Sequence, residues 1–214
     1  SISMPTEHMT IAEIESNFGF LNDLQATTQS ERHFRWPFGP PTQKKHYDFP
    51  AGSTEDGIER QKLFADAIIQ KRGRINIQDV ADSWLRNIRE DMFGYALHWS
   101  DKPFYELVKA GLHPSYVGLF SLWPEIVSLA RSCHPIGIIN AGDPMQAADD
   151  IMHLGGIYHQ YHGGGIQTAS GVAAGIAEAL DPEATVESVV REVLRPLPET
   201  VRGEFEEVLE ITHR

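Results

Sequence analysis

The sequence has only one cysteine, Cys133, among 214 residues. No disulfide can form within the chain, so we expect a reducing compartment and place the protein in the cytoplasm. A lone thiol is either a reactive group or a small buried residue. Because free cysteines in proteins are mostly buried, we favour the buried position for Cys133.

Basic residues are also scarce. There are 18 lysines and arginines against 30 aspartates and glutamates, which makes the formal net charge -12. Nucleic acids and anionic membrane surfaces are bound by basic faces, so this balance argues against both as partners. We find no secretory signal and no apolar run near the ~20 residues of a transmembrane helix. We therefore expect no membrane partner.

Alternating apolar and polar stretches are missing as well, whereas helical spacing recurs along the chain. The best strand candidate is the short stretch IGIIN, Ile136 to Asn140. Hydrophobic residues make up 41% of the chain and charged residues 22%, as in ordinary globular proteins, and the length suits one domain over 1–214. We predict an all-α fold whose helices begin at the capping residues Thr10, Asn76, Asp143 and Thr185.

One long segment departs from the helical pattern. From about 20 to 52 the chain is rich in proline, glycine and aromatic residues, as in HFRWPFGPP, which predicts an ordered but irregular loop. A helix is expected to follow from about Thr54 to Arg72. Its inward-facing residues are predicted to be Ile58, Leu63, Phe64, Ala67 and Ile68.

The start of that helix carries the main chemical signal, the stretch GSTEDG. Ser53 and Asp56 have the spacing of a capping box, which satisfies free N–H groups at a helix start. Thr54, Glu55 and Asp56 are three consecutive oxygen donors, and oxygen atoms are the ligands that magnesium prefers. Spacing alone favours capping and leaves a metal site as the second interpretation.

A second stretch, GGIYHQYHGGG, places His159 and His162 among glycines. Two histidines at this spacing need further ligands to hold a metal, and none completes the set nearby. The simplest interpretation is a pair of polar loop histidines. The functional interpretation is a substrate-binding loop, in which Gly163 and Gly164 let the backbone approach a ligand closely.

Two adjacent aspartates, Asp149 and Asp150, stand in the stretch AADDIMH. Paired carboxylates in a helical protein are found in magnesium-binding motifs. No acidic residue follows three positions later, so the second half of such a motif is missing. We expect both aspartates on a solvated helix face.

Three stretches occur in an order that resembles the ADP-ribosylglycohydrolase family, over most of Thr6 to Leu194. They are PTEHMTIAEIESNFG, GSTEDGIERQKLFADAIIQKRGRINIQDVADSWL and RSCHPIGIINAGDPMQAADDIMHLGGIYHQYHGGGIQTASGVAAGIAEAL. The resemblance implies an all-α, compact orthogonal helical bundle. It also implies two divalent cations, Mg²⁺ or Mn²⁺, held over the ribose of an ADP-ribosyl group.

The resemblance assigns metal-binding and catalytic roles to residues of the first two stretches. Thr54, Glu55 and Asp56 occupy the family's T-D-D positions, which supply metal oxygens. Glu7 occupies the position of a glutamate near the second metal. Glu7 or Asp56 would then be the general base that activates water.

The resemblance also implies a substrate-binding region. His159 matches a histidine of the family's central segment, with His162 as the neighbouring choice, and Gly163 and Gly164 follow in the same loop. Trp36, in the irregular loop, would stack on an adenine; packing beneath that loop is its alternative role.

The implied function is hydrolysis of a glycosidic bond at the ribose of an ADP-ribosyl or related nucleoside substrate. The family's G-D-x-x-G and G-D-x-D-T motifs have no counterpart in this sequence, so we expect the chain to correspond to the middle of a family member. The alternative is a catalytically inactive member that binds a nucleotide or ADP-ribose or has a structural role.

Overall fold

The structure is a computed structural model that describes residues 9–20, 23–24, 26–30, 46–54, 56–93, 96–123 and 128–212. Its contacts divide the chain into two compact units, Ser1–Asp56 and Gly57–Arg214. That the chain forms one domain over 1–214 stays a prediction.

The first unit contains helix α1 (Ile11–Phe18) and two short strands, β1 (Thr27–Ser30) and β2 (His46–Phe49). Helix α1 begins at the predicted capping box, in which the Thr10 hydroxyl accepts from the Glu13 N–H and the Glu13 carboxylate accepts from the Thr10 N–H. The strands pair antiparallel, with Thr27 opposite Phe49. The segment from about 20 to 52, predicted to be an irregular loop, therefore contains a short two-stranded antiparallel sheet. Its strands are too short, and too far apart in sequence, to give a local signal.

Helices build the second unit. Helix α2 (Asp56–Lys71) leads into it, and the others are α3 (Ile77–Asn87), α4 (Asp101–Lys109), α5 (Pro114–Val117), α6 (His134–Ile139), α7 (Pro144–Leu154), α8 (Gly164–Ala179), α9 (Val186–Leu194) and α10 (Glu199–Thr212). The all-α class is confirmed. Within the described ranges, no helix is both long enough and apolar enough to cross a membrane.

Helix α8 lies at the centre of the second unit and packs against α6, α7 and α9. Its small residues permit this: a β-carbon on Gly171 would lie 2.7 Å from the Val193 carbonyl oxygen of α9. The stretch IGIIN, the best strand candidate in the sequence, lies in α6 and its C-cap, as the all-α prediction requires. Pro135 in its first turn suits a helix start, and Gly137 lies tightly against Ile176 of α8.

The buried face of α2 differs from the predicted one at two positions. Leu63, Phe64 and Ala67 are buried as expected, but Ile58 is 37% exposed and Arg60 only 1%. The buried stripe therefore runs through 60, 63, 64 and 67. Ile58, two residues before Arg60, is about 200° away around the helix and faces outward.

Candidate active site

The chain enters α2 through a tight turn. Both the N–H and the hydroxyl of Ser53 donate to the Pro50 carbonyl, at 3.1 and 2.7 Å. Gly52 has φ 87°, a left-handed conformation that favours glycine. Helix α2 begins at Asp56, three residues after Ser53. That Ser53 caps this helix stays a prediction.

Thr54 and Asp56 are both half-buried where the turn meets the helix. Asp56 is the first residue of α2, where a carboxylate is favoured by the positive end of the helix dipole. The two side chains offer a hydroxyl and a carboxylate. These are hard oxygen donors of the class that Mg²⁺ and Mn²⁺ take.

Three of the predicted site residues, Glu7, Trp36 and Glu55, lie outside the described residues. Within the part that is described, no group of three histidine, cysteine, aspartate or glutamate side chains is placed to hold a metal ion. The donor chemistry at the start of α2 fits a divalent cation. A full ligand set needs Glu55 or Glu7 in addition to Thr54 and Asp56.

His159 lies in the loop between α7 and α8. A 3-10 turn, Gly155–Ile157, follows α7, and the His159 N–H donates to the Gly155 carbonyl at 2.9 Å. The His159 side chain is only 1% exposed, and neither ring nitrogen has a hydrogen-bond partner among the described residues. This burial differs from the expected polar loop histidine. Contact with a substrate stays a prediction for His159.

The other loop residues lie closer to solvent or at the helix start. His162 is exposed, whereas Gly163 is buried as the N-cap of α8 and its N–H donates to Gln160. Gly164 is the first residue of that helix. Free N–H groups at such a helix start attract anions. The Gly163 N–H is already used within the loop, so the first turn of α8, from Gly164, is the part that could attract an anion.

A buried ion pair connects α2 with α4. The Arg60 guanidinium donates to the Asp101 carboxylate from Nη2 at 2.6 Å and from Nε at 3.2 Å. The same carboxylate oxygen accepts from the His98 N–H at 3.0 Å. Asp101 is 4% exposed. This pair could not be predicted from the sequence, since its partners are 41 residues apart and no local pattern relates them.

Asp150 corrects the expectation of a solvated helix face. Asp149 is exposed, but Asp150 is buried, and its carboxylate accepts from the Arg74 guanidinium and, at 2.9 Å, from the Asn140 amide. A third donor is the Gln146 amide at 3.3 Å. The carboxylate therefore joins the α2–α3 connection to α6 and α7. This is a structural role and does not suit a metal ligand.

The family of the chain follows from a match between its sequence and a protein-family model. The sequence model described as ADP-ribosylglycohydrolase matches residues 1–214, the whole chain. The chain belongs to the ADP-ribosylglycohydrolase family. No curated protein and no solved structure matches it. The resemblance inferred from the three stretches is thereby confirmed. The family is one of glycosidase-type hydrolases that act on ADP-ribosyl substrates.

In the folded chain, His159 is held neutral. Burial, and to a smaller extent the positive charge of Arg60, together lower its pKa from 6.5 to about 4. Cys133 is also buried, as predicted, and burial raises the pKa of its thiol to about 12. A thiol with so high a pKa is a poor nucleophile.

The neutral state of His159 should appear in the pH dependence of stability. Because its pKa is lower in the folded chain, the unfolded chain takes up a proton first as the pH falls. The stabilising contribution of His159 to the free energy of unfolding should be fully present above pH 6.5 and should be lost as the pH falls from 6.5 to about 4. The total loss should be about 3 kcal/mol. Urea denaturation across this range measures it.

Two variants separate this effect from general acid unfolding. His159→Gln removes the titrating group, so the fall in unfolding free energy between pH 6.5 and about 4 should become shallower, whatever the variant's own stability. His162→Gln is the control, because His162 is exposed. Equal pH slopes in wild type and His159→Gln would contradict a neutral His159.

Proposed function

We propose that the chain is a divalent-cation-dependent hydrolase that cleaves the glycosidic bond at the ribose of an ADP-ribosyl or related nucleoside substrate. The observation that carries the proposal is the family match over 1–214. It is supported by the position of Thr54 and Asp56, two half-buried oxygen donors at the start of α2.

Thr54, Glu55 and Asp56 would hold Mg²⁺ or Mn²⁺, and Glu7 would contribute near a second ion. Such a cation would orient the ribose and stabilise negative charge that develops during the reaction. Because Asp56 is the first residue of a 16-residue helix, its backbone position is well defined. A side chain held by a long helix is oriented more accurately than one on a free loop.

The chemical step is displacement at the anomeric carbon of the ribose. Glu7 or Asp56 would take a proton from the attacking water as the new carbon–oxygen bond forms. The bond to the leaving group would break with its electron pair on the leaving group, which takes up a proton from that carboxyl group or from water. Positive charge builds up on the ribose ring as the bond breaks. A carboxylate beside the ribose stabilises that positive charge, which is consistent with the acidic residues Glu55 and Asp56.

Recognition of the rest of the substrate is assigned to the loop before α8. The backbone N–H at Gly164, in the first turn of α8, would face a diphosphate, since a helix start favours negative charge, and Gly163 would let the backbone come close to it. His162 is exposed at the loop surface, whereas the buried His159 would support the loop from inside. Trp36 would stack on the adenine.

Calorimetric titration with Mg²⁺ or Mn²⁺, with and without ADP-ribose, tests the proposal. Wild type should bind the cation, and Asp56→Ala should weaken that binding at least about tenfold, because a carboxylate ligand is lost. Asp149→Ala is the matched control: it removes one exposed carboxylate and should bind the cation like wild type.

A hydrolysis assay accompanies the titration. Substrates carrying ADP-ribose on arginine, on serine or on a nucleic-acid end distinguish the linkage cleaved, and Asp56→Ala should abolish turnover of whichever is accepted. Absence of cation binding in wild type would refute the metallohydrolase. Binding of ADP-ribose without turnover of any substrate would instead identify an inactive, nucleotide-binding member.

A further inference from the structure

An exposed apolar face lies on α5 and on the chain that follows it. From Gly111 to Trp123 the sequence contains no aspartate, glutamate, lysine or arginine, although the net charge of the chain is -12. Five large apolar side chains of this segment are between 39% and 80% exposed: Tyr116, Leu119, Phe120, Leu122 and Trp123. Together they form the 116–123 face.

The opposite side of the same segment is fixed to the second unit. Val117 is fully buried, and a 3-10 turn, Gly118–Phe120, continues α5. A β-carbon on Gly118 would lie 2.5 Å from the Gly156 carbonyl oxygen, so the segment rests directly on the backbone of the turn after α7. Because the inner side is held in this way, little freedom is lost when the outer face is covered.

The exposed area of the face is close to what a specific protein interface requires. A whole aromatic side chain offers about 150–250 Å² and a leucine somewhat less, so the five exposed fractions add up to roughly 500 Å². Small specific interfaces bury about 600 Å² on each partner, and the largest apolar patch of a typical monomer is about 300–600 Å². The face therefore supplies most of such an interface, and its rim would supply the rest.

The face carries both a groove and a projecting side chain. The groove has a volume of about 460 Å³, and Tyr116 and Leu119 are part of its lining. Leu122 follows Leu119 by three residues, is 80% exposed and does not line the groove. In a twofold contact the same patch of each copy meets the other, so that a side chain projecting from one copy enters a groove of its partner. A face with both features is suited to pair with itself.

Charge selects among the macromolecules that could cover this face. Two copies with a net charge of -12 repel each other, so a contact between them is favoured where neither copy presents charge. An anionic membrane is repelled by the same net charge, and membrane-binding segments surround their apolar side chains with lysine and arginine, which this segment lacks. A cationic protein would be attracted to the acidic surface instead.

We propose that the 116–123 face is the contact between two copies of this chain, related by a twofold axis, with Leu122 of each copy in the groove of the other. The proposal does not rest on the metal-dependent hydrolase, since it uses none of Thr54, Glu55, Asp56 or Glu7.

Sedimentation velocity of the full chain over a concentration series tests the contact. Wild type should show a reversible monomer–dimer equilibrium with a dissociation constant in the micromolar range, as expected for a small interface. Raising the salt concentration to about 0.5 M should tighten the dimer, because salt screens the repulsion between like-charged copies. A monomer alone at about 0.2 mM, or a dimer that salt dissociates, would overturn the proposal.

Two substitutions show whether the face carries the association. Leu122→Glu should raise the dissociation constant at least about tenfold, since each copy would bring a carboxylate into the apolar contact, and Tyr116→Glu should act in the same direction. Ile69→Glu is the matched control, because Ile69 is 69% exposed on α2 and receives the same added charge. Equal weakening by Ile69→Glu would show that net charge alone sets the association, and would refute this face. Urea denaturation checks that each variant is folded.

Thiol protection locates the contact directly. Cys133 is the only cysteine and is buried, so the thiol of Leu122→Cys should be the only one that reacts with a maleimide. Its alkylation should slow at least about fivefold when the protein concentration is raised from well below to well above the dissociation constant, because access decides reactivity. Ile69→Cys should react at one rate throughout. A dimer in which Leu122→Cys stays fully reactive would use another face and would contradict the proposal.

Discussion

Replacement of Asp101 by alanine should lower the free energy of unfolding by about 3–5 kcal/mol. The carboxylate lies 2.6 Å from the Arg60 guanidinium, and both groups are almost fully buried. Without the Asp101 carboxylate, the positive charge of Arg60 stays in the core without that partner. The same charge already opposes protonation of the buried His159 ring. Chemical denaturation monitored by circular dichroism measures the loss.

A double-mutant cycle shows whether the loss comes from the pair. Arg60→Met combined with Asp101→Ala removes both charges, so the double variant should be more stable than the sum of the single effects predicts. Asp91→Ala is the control on the surface, since Asp91 and Arg89 form a pair whose side chains are 75% and 73% exposed. The free energy of unfolding of Asp91→Ala should differ little from that of wild type. Additive effects of Arg60→Met and Asp101→Ala would show that the two charges do not stabilise each other.

Replacement of Gly118 by alanine should lower the free energy of unfolding by about 3 kcal/mol or more. The added β-carbon would meet the carbonyl oxygens of Gly156 and His159, the former at 2.5 Å and the latter closer. Both are backbone atoms, so no side-chain rotation relieves the clash. The same substitution should displace the loop that carries His159.

Gly203→Ala is the control for glycine replacement in general. Gly203 is exposed within α10, and an added β-carbon meets no atom within 4 Å. Alanine there should raise the unfolding free energy by about 0.4–1 kcal/mol, since it reduces the freedom of the unfolded chain. A loss for Gly118→Ala no larger than about 0.5 kcal/mol would mean that the contact at Gly118 relaxes easily.

Helix starts were predicted correctly because their signals are local. Thr10, Asn76 and Thr185 each accept from the N–H three residues ahead, and Asp143 does the same for Gln146. A capping residue and the groups that it satisfies lie within one turn of chain. The stretch IGIIN was no more than a strand candidate, since a short apolar run has no period long enough to distinguish a strand from a buried helix; the structure places it in α6.

The assignment of Thr54, Glu55, Asp56 and Glu7 to an active site stays a prediction. The donors Thr54 and Asp56 do lie together at a helix start, which follows from their adjacency in the chain. The burial of His159 could not be predicted, because it depends on α2 and on Gly118, which are far away in sequence. For the same reason Asp150 was expected in solvent, although its partner Arg74 is 76 residues upstream.

By itself, the sequence determined the helical class, the helix boundaries set by capping residues, the oxygen donors at Thr54 to Asp56 and the family. Each of these depends on residues close together in the chain or on their order along it. The tertiary structure alone decided which charged side chains are buried, notably Arg60, Asp101 and Asp150. These features join helices distant in sequence, and a buried charge is stable only where folding brings its partner within hydrogen-bond distance.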